Sequence, residues 1–590
     1  MTVERRPYVI FEIDFPRCTR SYGEGACTAS LANVEGRRDK CKKSRFTCQA
    51  LAAYLPEMIT HRYVESIDGL PKEPGYFPML RSVSTRPVEI NTSGFDPNSN
   101  PLGVRARGTA VLADADDNGS FTDPYAAERR SGAAQWDGQG YLPEEFGSHW
   151  GKLIATQPYY EGLPCRVLRG YVGQAPAEMT TEHYVITKIT GPDLDGRVTV
   201  KYKDVLDLAN KDKALAPKTS QGKLAFDVPS IAATAILVPA GIGETYAEAG
   251  LVTIGREIIA FERVGDVLTF TERGAEGSEV SDHQANDQVQ EALVYDPARP
   301  SDVIADLLIR FGNVPDTMIP LADWKAEYDA WFAGLLTSRT VIPKPTPVPV
   351  LIGELCQIGA MVFPDVRAGD IKFRMSAPLK VGEVFQYLDE DTDIREGTLR
   401  VTRGEDLRAT PINLAHGVID WTEAVTSLKN FTKLSTSFVA DDPYSQLAIR
   451  WMYMRWFGRE GNEATASVIV DRLMARYQEP PFLIEGEVDT KSRAAVELAS
   501  LTVITSRLFQ TPLRPGPPEL TQIRHSEEVA GDRIKFKAEQ YRLRGRFGYL
   551  RDDPMPEYAD ASEQERAEGC FMVDDTIGEM PDGSEPYVFF

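Results

Sequence analysis

The sequence has no long apolar run and nothing that resembles a secretion signal. Its longest apolar stretch, Ile231 to Val238, is closed by Pro239 and is far shorter than the ~18 residues that a membrane-spanning helix needs. The opening residues, MTVERRPYVIFEIDF, do not form the apolar core of a signal peptide. We therefore expect neither a secreted protein nor one with a membrane anchor.

Motifs that mark catalytic sites are also missing. There is no phosphate-binding G-x-x-x-x-G-K-[ST] loop, no H-E-x-x-H, no G-x-S-x-G and no G-x-G-x-x-G. The six histidines are scattered and no two of them are four residues apart. Carboxylates are so numerous that spacing singles out no glycosidase pair. The sequence therefore predicts no catalytic residue, and we expect a protein that is not an enzyme.

Positive charge is scarce relative to negative charge. The 590 residues include 65 Lys and Arg against 87 Asp and Glu, which leaves a formal net charge of −22. A chain of this sign has no general attraction for nucleic acid or for an anionic membrane. Its length corresponds to about four domains. Alternating runs such as RVTVKYK at 197–203 indicate half-buried strands, and the fold class that we predict is multidomain and mainly β with α+β segments.

Cysteine is the residue whose placement is most informative. Four of the seven cysteines fall in one short stretch with the spacing C-x8-C-x13-C-x6-C, namely Cys18, Cys27, Cys41 and Cys48. Four thiols so close in sequence suggest a shared partner. Disulfides are disfavoured in a chain made in a reducing cytosol, and zinc usually takes cysteines in closer pairs. An iron–sulfur cluster accepts longer and more varied ligand loops. On the residues alone, all three partners stay open.

The local charge favours an anionic guest. Eight basic and three acidic residues lie between Arg17 and Arg45, a net charge of +5 within a strongly acidic chain. Nearby positive charge lowers the pKa of a thiol and stabilises thiolate ligands.

The cysteine stretch resembles the cysteine module of tail-tip proteins in lambda-like siphophages. The outer spacings agree, Tyr22-Gly23 lies between the first two cysteines, and lysines 40, 42 and 43 flank the third. In this chain the cysteines lie near the N-terminus, whereas in that family the module lies near the end of the chain. The spacer between the second and third cysteines is also shorter here. The resemblance implies a [4Fe–4S] cluster as cofactor, with zinc as the alternative, bound by the four ligands Cys18, Cys27, Cys41 and Cys48.

A second stretch resembles the first β-domain of baseplate hub proteins in siphophages and gene transfer agents. The matching phrases, in order, are GSHWGK at 147–152, RGY at 169–171 and KDVL at 203–206. The two resemblances together imply hub-type β-barrel domains, a small cysteine-ligated N-terminal module, and this division of the chain: 1–68 iron–sulfur cysteine module, 69–102 linker or wrapped segment, 103–228 first hub β-domain, 229–297 small β-module, 298–415 α+β domain, 416–551 second hub β-domain and 552–590 acidic C-terminal segment.

The function implied is that of a structural virion protein, the baseplate hub at the tail tip of a phage with a long flexible tail. It would be a homotrimer that closes the tail tube and forms part of the DNA ejection channel, through which genomic DNA passes without specific binding. Its expected partners are the distal tail protein, the tape-measure protein and receptor-binding or central-fibre proteins. It would be made in the host bacterial cytoplasm and end in the virion. An iron–sulfur oxidoreductase or redox sensor and a cell-wall-degrading tail enzyme are the alternatives.

Two further features carry expectations. Asp114, Asp116, Asn118 and Gly119 occupy positions 1, 3, 5 and 6 of an EF-hand-like calcium loop, but Tyr125 stands where a bidentate Glu is required, and an Asx turn explains the phrase equally well. The apolar residues 587–590 follow an acidic stretch. We expect them to dock as a strand against this chain or a neighbouring one, because exposed apolar strands aggregate.

Overall fold

The computed structural model confirms a multidomain, mainly β fold. It describes residues 6–29, 41–67, 75–92, 102–115, 148–209, 214–332, 336–377, 385–439, 444, 447–458, 461–509, 518–529 and 533–542. No helix in these ranges is both long and apolar enough to cross a membrane. The acidic segment 552–590 lies outside them, and so does the predicted docking strand 587–590.

The chain forms two compact units, each assembled from separate stretches. Unit 1 comprises Met1–Pro87, Arg105–Asp207 and Pro364–Asp370. Unit 2 comprises Val88–Val104, Leu208–Phe363 and Ile371–Phe590.

Unit 1 is built on one eight-stranded sheet. The sheet curls so that the strand at one end of it, Leu80–Arg86, comes close to the strand Pro7–Cys18, and the sheet therefore nearly closes. The helix α1 (His149–Thr156) precedes its sixth strand in the chain. The sheet order is β3-β2-β1-β6-β7-β8-β5-β4. The strands are β1 (Pro7–Cys18), β2 (Pro56–Val64), β3 (Tyr76–Phe77), β4 (Leu80–Arg86), β5 (Arg107–Ala113), β6 (Pro164–Tyr171), β7 (Thr180–Thr190) and β8 (Arg197–Lys203).

This sheet joins two of the predicted segments. Strands β1 and β2 come from the predicted cysteine module, and β1 pairs antiparallel with β6 of the predicted first β-domain. What lies apart from the sheet is the excursion between β1 and β2, which contains Cys27, Cys41 and Cys48, whereas Cys18 is the last residue of β1. The predicted strand RVTVKYK is β8, with Val198, Val200 and Tyr202 buried.

Charged side chains are buried on one face of β1. Arg166 donates through Nε to Glu12 Oε2 at 2.7 Å and through Nη1 to Asp14 Oδ2 at 2.8 Å. Arg62 donates to the other Glu12 oxygen at 2.9 Å, and the Thr60 hydroxyl donates to Asp14 Oδ1 at 2.7 Å. Carboxylates this well buried are tolerated only when they are paired and hydrogen-bonded, so the network ties β1, β2 and β6 in register.

Unit 2 contains two six-stranded sheets, a three-stranded sheet and several strand pairs. The first six-stranded sheet has the order β10 (Lys223–Leu224), β11 (Thr234–Val238), β14 (Val267–Glu272), β13 (Glu257–Val264), β12 (Ala249–Ile254), β15 (Val289–Glu291). The second has the order β21 (Gln386–Asp389), β27 (Leu501–Thr505), β28 (Pro518–Val529), β29 (Arg533–Gln540), β26 (Phe482–Asp489), β22 (Arg400–Arg403). The three-stranded sheet is β24 (Phe431–Ser437), β23 (Ile412–Val418), β25 (Arg450–Met454).

The remaining elements of unit 2 connect these sheets. Three strand pairs complete the strands: β9 (Leu215–Ala216) with β18 (Thr346–Pro347), β16 (Leu293–Tyr295) with β17 (Thr340–Ile342), and β19 (Ala360–Asp365) with β20 (Asp370–Met375), whose turn belongs to unit 1. The helices are α2 (Pro300–Asp306), which continues as a π-helical turn Leu307–Phe311, α3 (Leu321–Phe332), α4 (Val348–Cys356) and α5 (Glu463–Tyr477).

Residues 88–92, within the segment predicted to be a linker or a wrapped strip, pack on the second six-stranded sheet. The Ile90 amide donates to the Arg524 carbonyl at 2.8 Å. The Thr92 hydroxyl donates to Glu539 Oε2 at 2.6 Å, where Arg476 also donates to Oε1 of the same carboxylate at 3.0 Å. Arg476 and Glu539 are both fully buried, so this pair needs all of its hydrogen bonds to be tolerated.

The first six-stranded sheet of unit 2 contains a buried carboxylate of its own. Arg273 donates to both oxygens of Glu257, at 2.7 and 2.9 Å. The amides of Gly274 and Ser281 and His283 Nε2 complete the shell. Although burial opposes ionisation, these donors lower the pKa of Glu257 to about 2. His283 is therefore part of the hydrogen-bond shell that holds this carboxylate.

We expect Glu257→Gln to destabilise this sheet by about 3 kcal/mol at neutral pH, because it leaves Arg273 without its partner. A carboxylate with a lowered pKa stabilises the fold above its ordinary pKa and loses that effect as pH falls toward 2. The deficit of the variant should therefore shrink as the pH falls below about 4. The loss of stability is measured by hydrogen exchange of the 249–291 peptides in urea. Glu262→Gln, at an exposed position on the same strand, is the control. Equal deficits at pH 3 and pH 7 would contradict the assignment.

Candidate cysteine site

The first predicted ligand, Cys18, lies at the end of the ladder of hydrogen bonds between β1 and β2. Cys18 is the last residue of β1 and is paired with Pro56, the first residue of β2. The other three cysteines lie in the excursion between these two residues. The ladder thus holds the two ends of the excursion side by side, and its short 3₁₀ turn Leu51–Ala53 leads back into β2.

A tight turn presents the third cysteine. The Lys43 amide donates to Cys41 Sγ at 3.4 Å, and the Lys43 carbonyl accepts from the Cys18 amide at 2.7 Å. Lys43 has a φ of 58°, a left-handed conformation that a lysine adopts at some cost. The buried Ser44 hydroxyl lies 2.9 Å from Thr47 Oγ1, which accepts from the Lys42 amide at 3.0 Å. Side-chain hydrogen bonds therefore hold the strained turn.

Backbone turns also position the second and fourth cysteines. The Cys27 amide donates to the Glu24 carbonyl at 3.0 Å, and the Cys48 amide donates to the Arg45 carbonyl at 3.4 Å. Gly23 has a φ of 70°, and a Cβ there would stand 3.1 Å from the Ala29 carbonyl oxygen. A residue with a side chain would be strained at this position.

The pKa of Cys41 depends on its burial and on the other three thiols. Burial raises the pKa of Cys41, the Lys43 amide lowers it, and Cys48, Cys27 and Cys18 each raise it further. Burial likewise raises the pKa of Tyr54, and Cys18 and Cys48 add to that shift. All four cysteines are half-buried, and none of them is in a disulfide.

The four thiols can be compared with what each candidate cofactor, zinc or an iron–sulfur cluster, requires of its ligands. Zinc binds thiolates at about 2.3 Å and needs its ligands within one coordination sphere. No three His, Cys, Asp or Glu side chains in the described ranges are arranged to hold a single metal ion. A four-iron cluster is a larger object held by four thiolates.

The basic residues around the cysteines are only partly described. Arg20 donates through Nε to the Ala53 carbonyl at 2.8 Å, which fixes it against the returning chain. Arg45 is exposed, and Lys42 and Lys43 belong to the turn that carries Cys41. Arg37, Arg38 and Lys40 lie outside the described residues. Of the remaining cysteines, Cys165 and Cys356 are buried in the core.

Of the candidate calcium ligands, only Asp114 lies in the described part of the chain. Its Oδ1 accepts from the amides of Ala115 at 3.0 Å and Trp150 at 2.9 Å. Asp114 thus binds the first turn of α1 beside the N-cap Ser148. Asp116, Asn118, Gly119 and Tyr125 lie outside the described residues.

A buried aromatic cluster in the same unit was not predicted. His61 of β2 lies between the rings of Phe15 and Phe77, with centroid distances of 5.2 and 5.3 Å. The Tyr63 hydroxyl lies 3.3 Å from His149 Nε2, and the Tyr63 ring stacks on Trp150 at 5.1 Å. His149 and Trp150 come from the phrase GSHWGK, which is therefore a packing motif. The alternation in THRYV at 60–64 was the signal that could have placed His61 inward.

Comparison with known proteins gives no family. No family model matches the chain, and no curated protein matches it either. Among solved structures, the chain is similar to the 43 kDa tail protein of prophage MuSo2 from Shewanella oneidensis, with 10% identity over 78% of this chain and 95% of that chain, at a TM-score of 0.33. It is also similar to a tail protein from Neisseria meningitidis MC58, with 7% identity over 78% of this chain and 98% of that one, at a TM-score of 0.36.

A third similar structure is the prophage tail protein gp18 from Listeria monocytogenes EGD-e, with 9% identity over 77% of this chain and 87% of that chain, at a TM-score of 0.29. Likenesses with such low identities and TM-scores do not establish a shared family.

The aromatic cluster makes unit 1 sensitive to acid. Burial, together with the nearby His149 and Arg17, lowers the pKa of His61 to about 4. The unfolded chain therefore binds a proton that the folded chain refuses, and stability falls as pH drops from about 6.5 toward 4, by at most about 3 kcal/mol.

We expect His61→Phe to flatten this acid limb, measured by urea unfolding with hydrogen exchange of the β1 and β2 peptides. His61→Gln is the control, since it also cannot titrate but packs differently. Both variants should lose the pH dependence whatever their stability at pH 7. An acid limb as steep as that of the wild type in both would contradict the role of His61.

Proposed function

We propose that this chain is a structural protein of a phage tail baseplate, the hub at the tip of a long flexible tail, and that it carries a [4Fe–4S] cluster. The observation that carries the proposal is the placement of the cysteines: four thiols whose spacing resembles that of tail-tip proteins lie in one short stretch, of which Cys18 ends β1 and is paired with the first residue of β2. The phrases shared with hub proteins, and the mainly β fold of several sheets, support it further.

The four cysteines would hold the cluster, with Cys18 supplied by the ladder, Cys41 by the strained turn, and Cys27 and Cys48 by the two flanking turns. A bound cluster supplies four thiolate–iron cross-links. The Lys43 amide, which already donates to Cys41 Sγ, would stabilise negative charge on that sulfur. The basic residues between Arg17 and Arg45 would offset the charge of a thiolate-bound guest.

The role of the cluster in this proposal is structural. Among the described residues of the excursion, only Ala29 and Ser44 are buried. A segment with so small a core gains little from hydrophobic burial, and small domains of this kind use metals or disulfides instead. Metal–thiolate bonds would therefore provide the stability that packing does not.

The hub role also fits the charge of the chain. As a homotrimer around the tail axis, the protein would carry a large negative charge, from a net −22 on each copy. An acidic lumen repels phosphate, so genomic DNA could pass through it without binding. The chain would contact the distal tail protein, the tape-measure protein and receptor-binding or central-fibre proteins, and would have no catalytic activity of its own.

The cofactor is tested by analysis of protein purified without oxygen. We expect about four iron and four acid-labile sulfide per chain, and a loss of most of both in Cys41→Ser. Cys165→Ala, a buried cysteine outside the set, should keep them. In Cys41→Ser, hydrogen exchange should rise in the excursion peptides and stay unchanged in β7 and β8. One zinc per chain, or no metal with the excursion equally protected, would contradict the proposal.

The assembly is tested separately, by native mass spectrometry of the full chain across a range of concentrations. We expect a trimer, and no binding to double-stranded DNA at physiological salt, because the protein and the DNA are both strongly negative. A monomer at every concentration would contradict the hub role, but it would not bear on whether the chain binds a cluster.

A further inference from the structure

The first six-stranded sheet of unit 2 closes on itself as a small barrel. Its two end strands meet through an antiparallel bridge between Lys223 and Gln288, and the Leu224 amide donates to the Asp287 carbonyl at 2.9 Å. Apolar side chains fill the interior. Because closure pairs the edges of a sheet, a protein that binds to the side of this barrel must do so through outward-facing side chains.

One side of the barrel is already covered by other parts of unit 2. The outward residues Leu251 of β12 and Ile258 of β13 are buried, and they pack with Ala292 and Val341. Outward apolar side chains of this barrel therefore serve as contact surface wherever the surrounding chain reaches them.

An apolar row crosses a second, uncovered part of the outer surface. Val267 of β14 lies directly opposite Ile236 of β11 in one ladder and directly opposite Val264 of β13 in the other. Residues paired in this way share a face of the sheet, with Cβ atoms about 5 Å apart, so the three side chains are contiguous. Their exposed fractions are 44% for Ile236, 39% for Val267 and 82% for Val264. The next row along the same strands is polar and consists of Thr234, Thr269 and Glu262.

The surface around this row is acidic. Residues 223–291 contain four Lys and Arg against twelve Asp and Glu, a net charge of −8. The three arginines among them are already paired with carboxylates, namely Arg256 with Asp420, Arg263 with Glu244 and Arg273 with Glu257. Such a surface repels DNA, an anionic membrane and the same face of a second copy. A binding partner attracted to it must carry positive charge.

We propose that Ile236, Val264 and Val267 form the centre of a docking surface for another protein, whose facing surface offers aliphatic side chains bordered by Lys or Arg. Protein interfaces commonly combine an apolar centre with a polar rim in this way. The aliphatic side chains cover the row, and the basic residues pair with Glu262 and the other carboxylates around it. The inference goes beyond the proposed function and depends neither on a bound cluster nor on a trimer.

The contact is tested by photo-cross-linking of the full chain in cells that also produce its natural neighbours. With p-benzoylphenylalanine in place of Val264, irradiation should join the chain to one other protein, within a peptide that contains Lys or Arg beside aliphatic residues. The matched control places the same group at Ile231, which is 94% exposed in the turn before β11 and should give little of this product.

Each other outcome of the cross-linking experiment decides against the docking surface. No cross-linked protein, a cross-link to a second copy of the chain, or a cross-link to an acidic peptide would overturn it. Particles purified from the same cells separate this inference from the baseplate role. A chain that is present in particles but gives no cross-link contradicts the docking surface alone, whereas a chain that cross-links but is absent from particles contradicts the baseplate role alone.

Binding of the purified cross-linked protein provides a second measurement. Val264→Ser removes apolar surface from the row and Glu262→Lys reverses a charge beside it, so each should weaken binding about tenfold. Ile231→Ser and Glu279→Lys are the matched controls and should bind as the wild type does. All four positions are exposed, so thermal unfolding should stay unchanged, which separates loss of the contact from loss of the fold. Wild-type affinity in both Val264→Ser and Glu262→Lys would overturn the proposal.

Discussion

Unit 1 depends on the double burial of strand β1. Both of its edges are paired, with β2 and with β6, and both of its faces are covered. Phe11 and Ile13 face an aromatic and apolar interior, while Glu12 and Asp14 face the other way and need Arg166 to be tolerated there. A shift of the strand by one residue would bury unpaired carboxylates and expose aromatic rings, so the register has no low-energy alternative.

The cysteine excursion takes its order from this strand. Because β1 ends at Cys18 and β2 begins directly opposite, the sheet fixes both ends of a segment that has almost no core of its own. Between those ends the described residues are held by short turns, by Lys43 in a left-handed backbone conformation, and by hydrogen bonds of hydroxyl groups. Such a segment is well anchored but weakly packed, which is the situation in which an inorganic cross-link contributes most.

The fold class and individual elements followed from local pattern. Alternation identified β8. The pairing between strands that are distant in sequence could not be predicted, because no pattern in residues 7–18 indicates that β6 is their partner. The cysteines could be found from spacing, whereas the His61 cluster depends on rings that only the folded sheet brings together.

The two units are interleaved along the chain, which crosses from one to the other five times. Neither unit is a continuous stretch of polypeptide, so neither corresponds to a fragment that a single pair of truncations would release. During synthesis, unit 1 receives its final stretch only when residues 364–370 leave the ribosome, long after its eight strands have been made. Its completion is therefore tied to the emergence of the first two stretches of unit 2, somewhat less than half of that unit, so unit 1 cannot finish folding before part of unit 2 has been made.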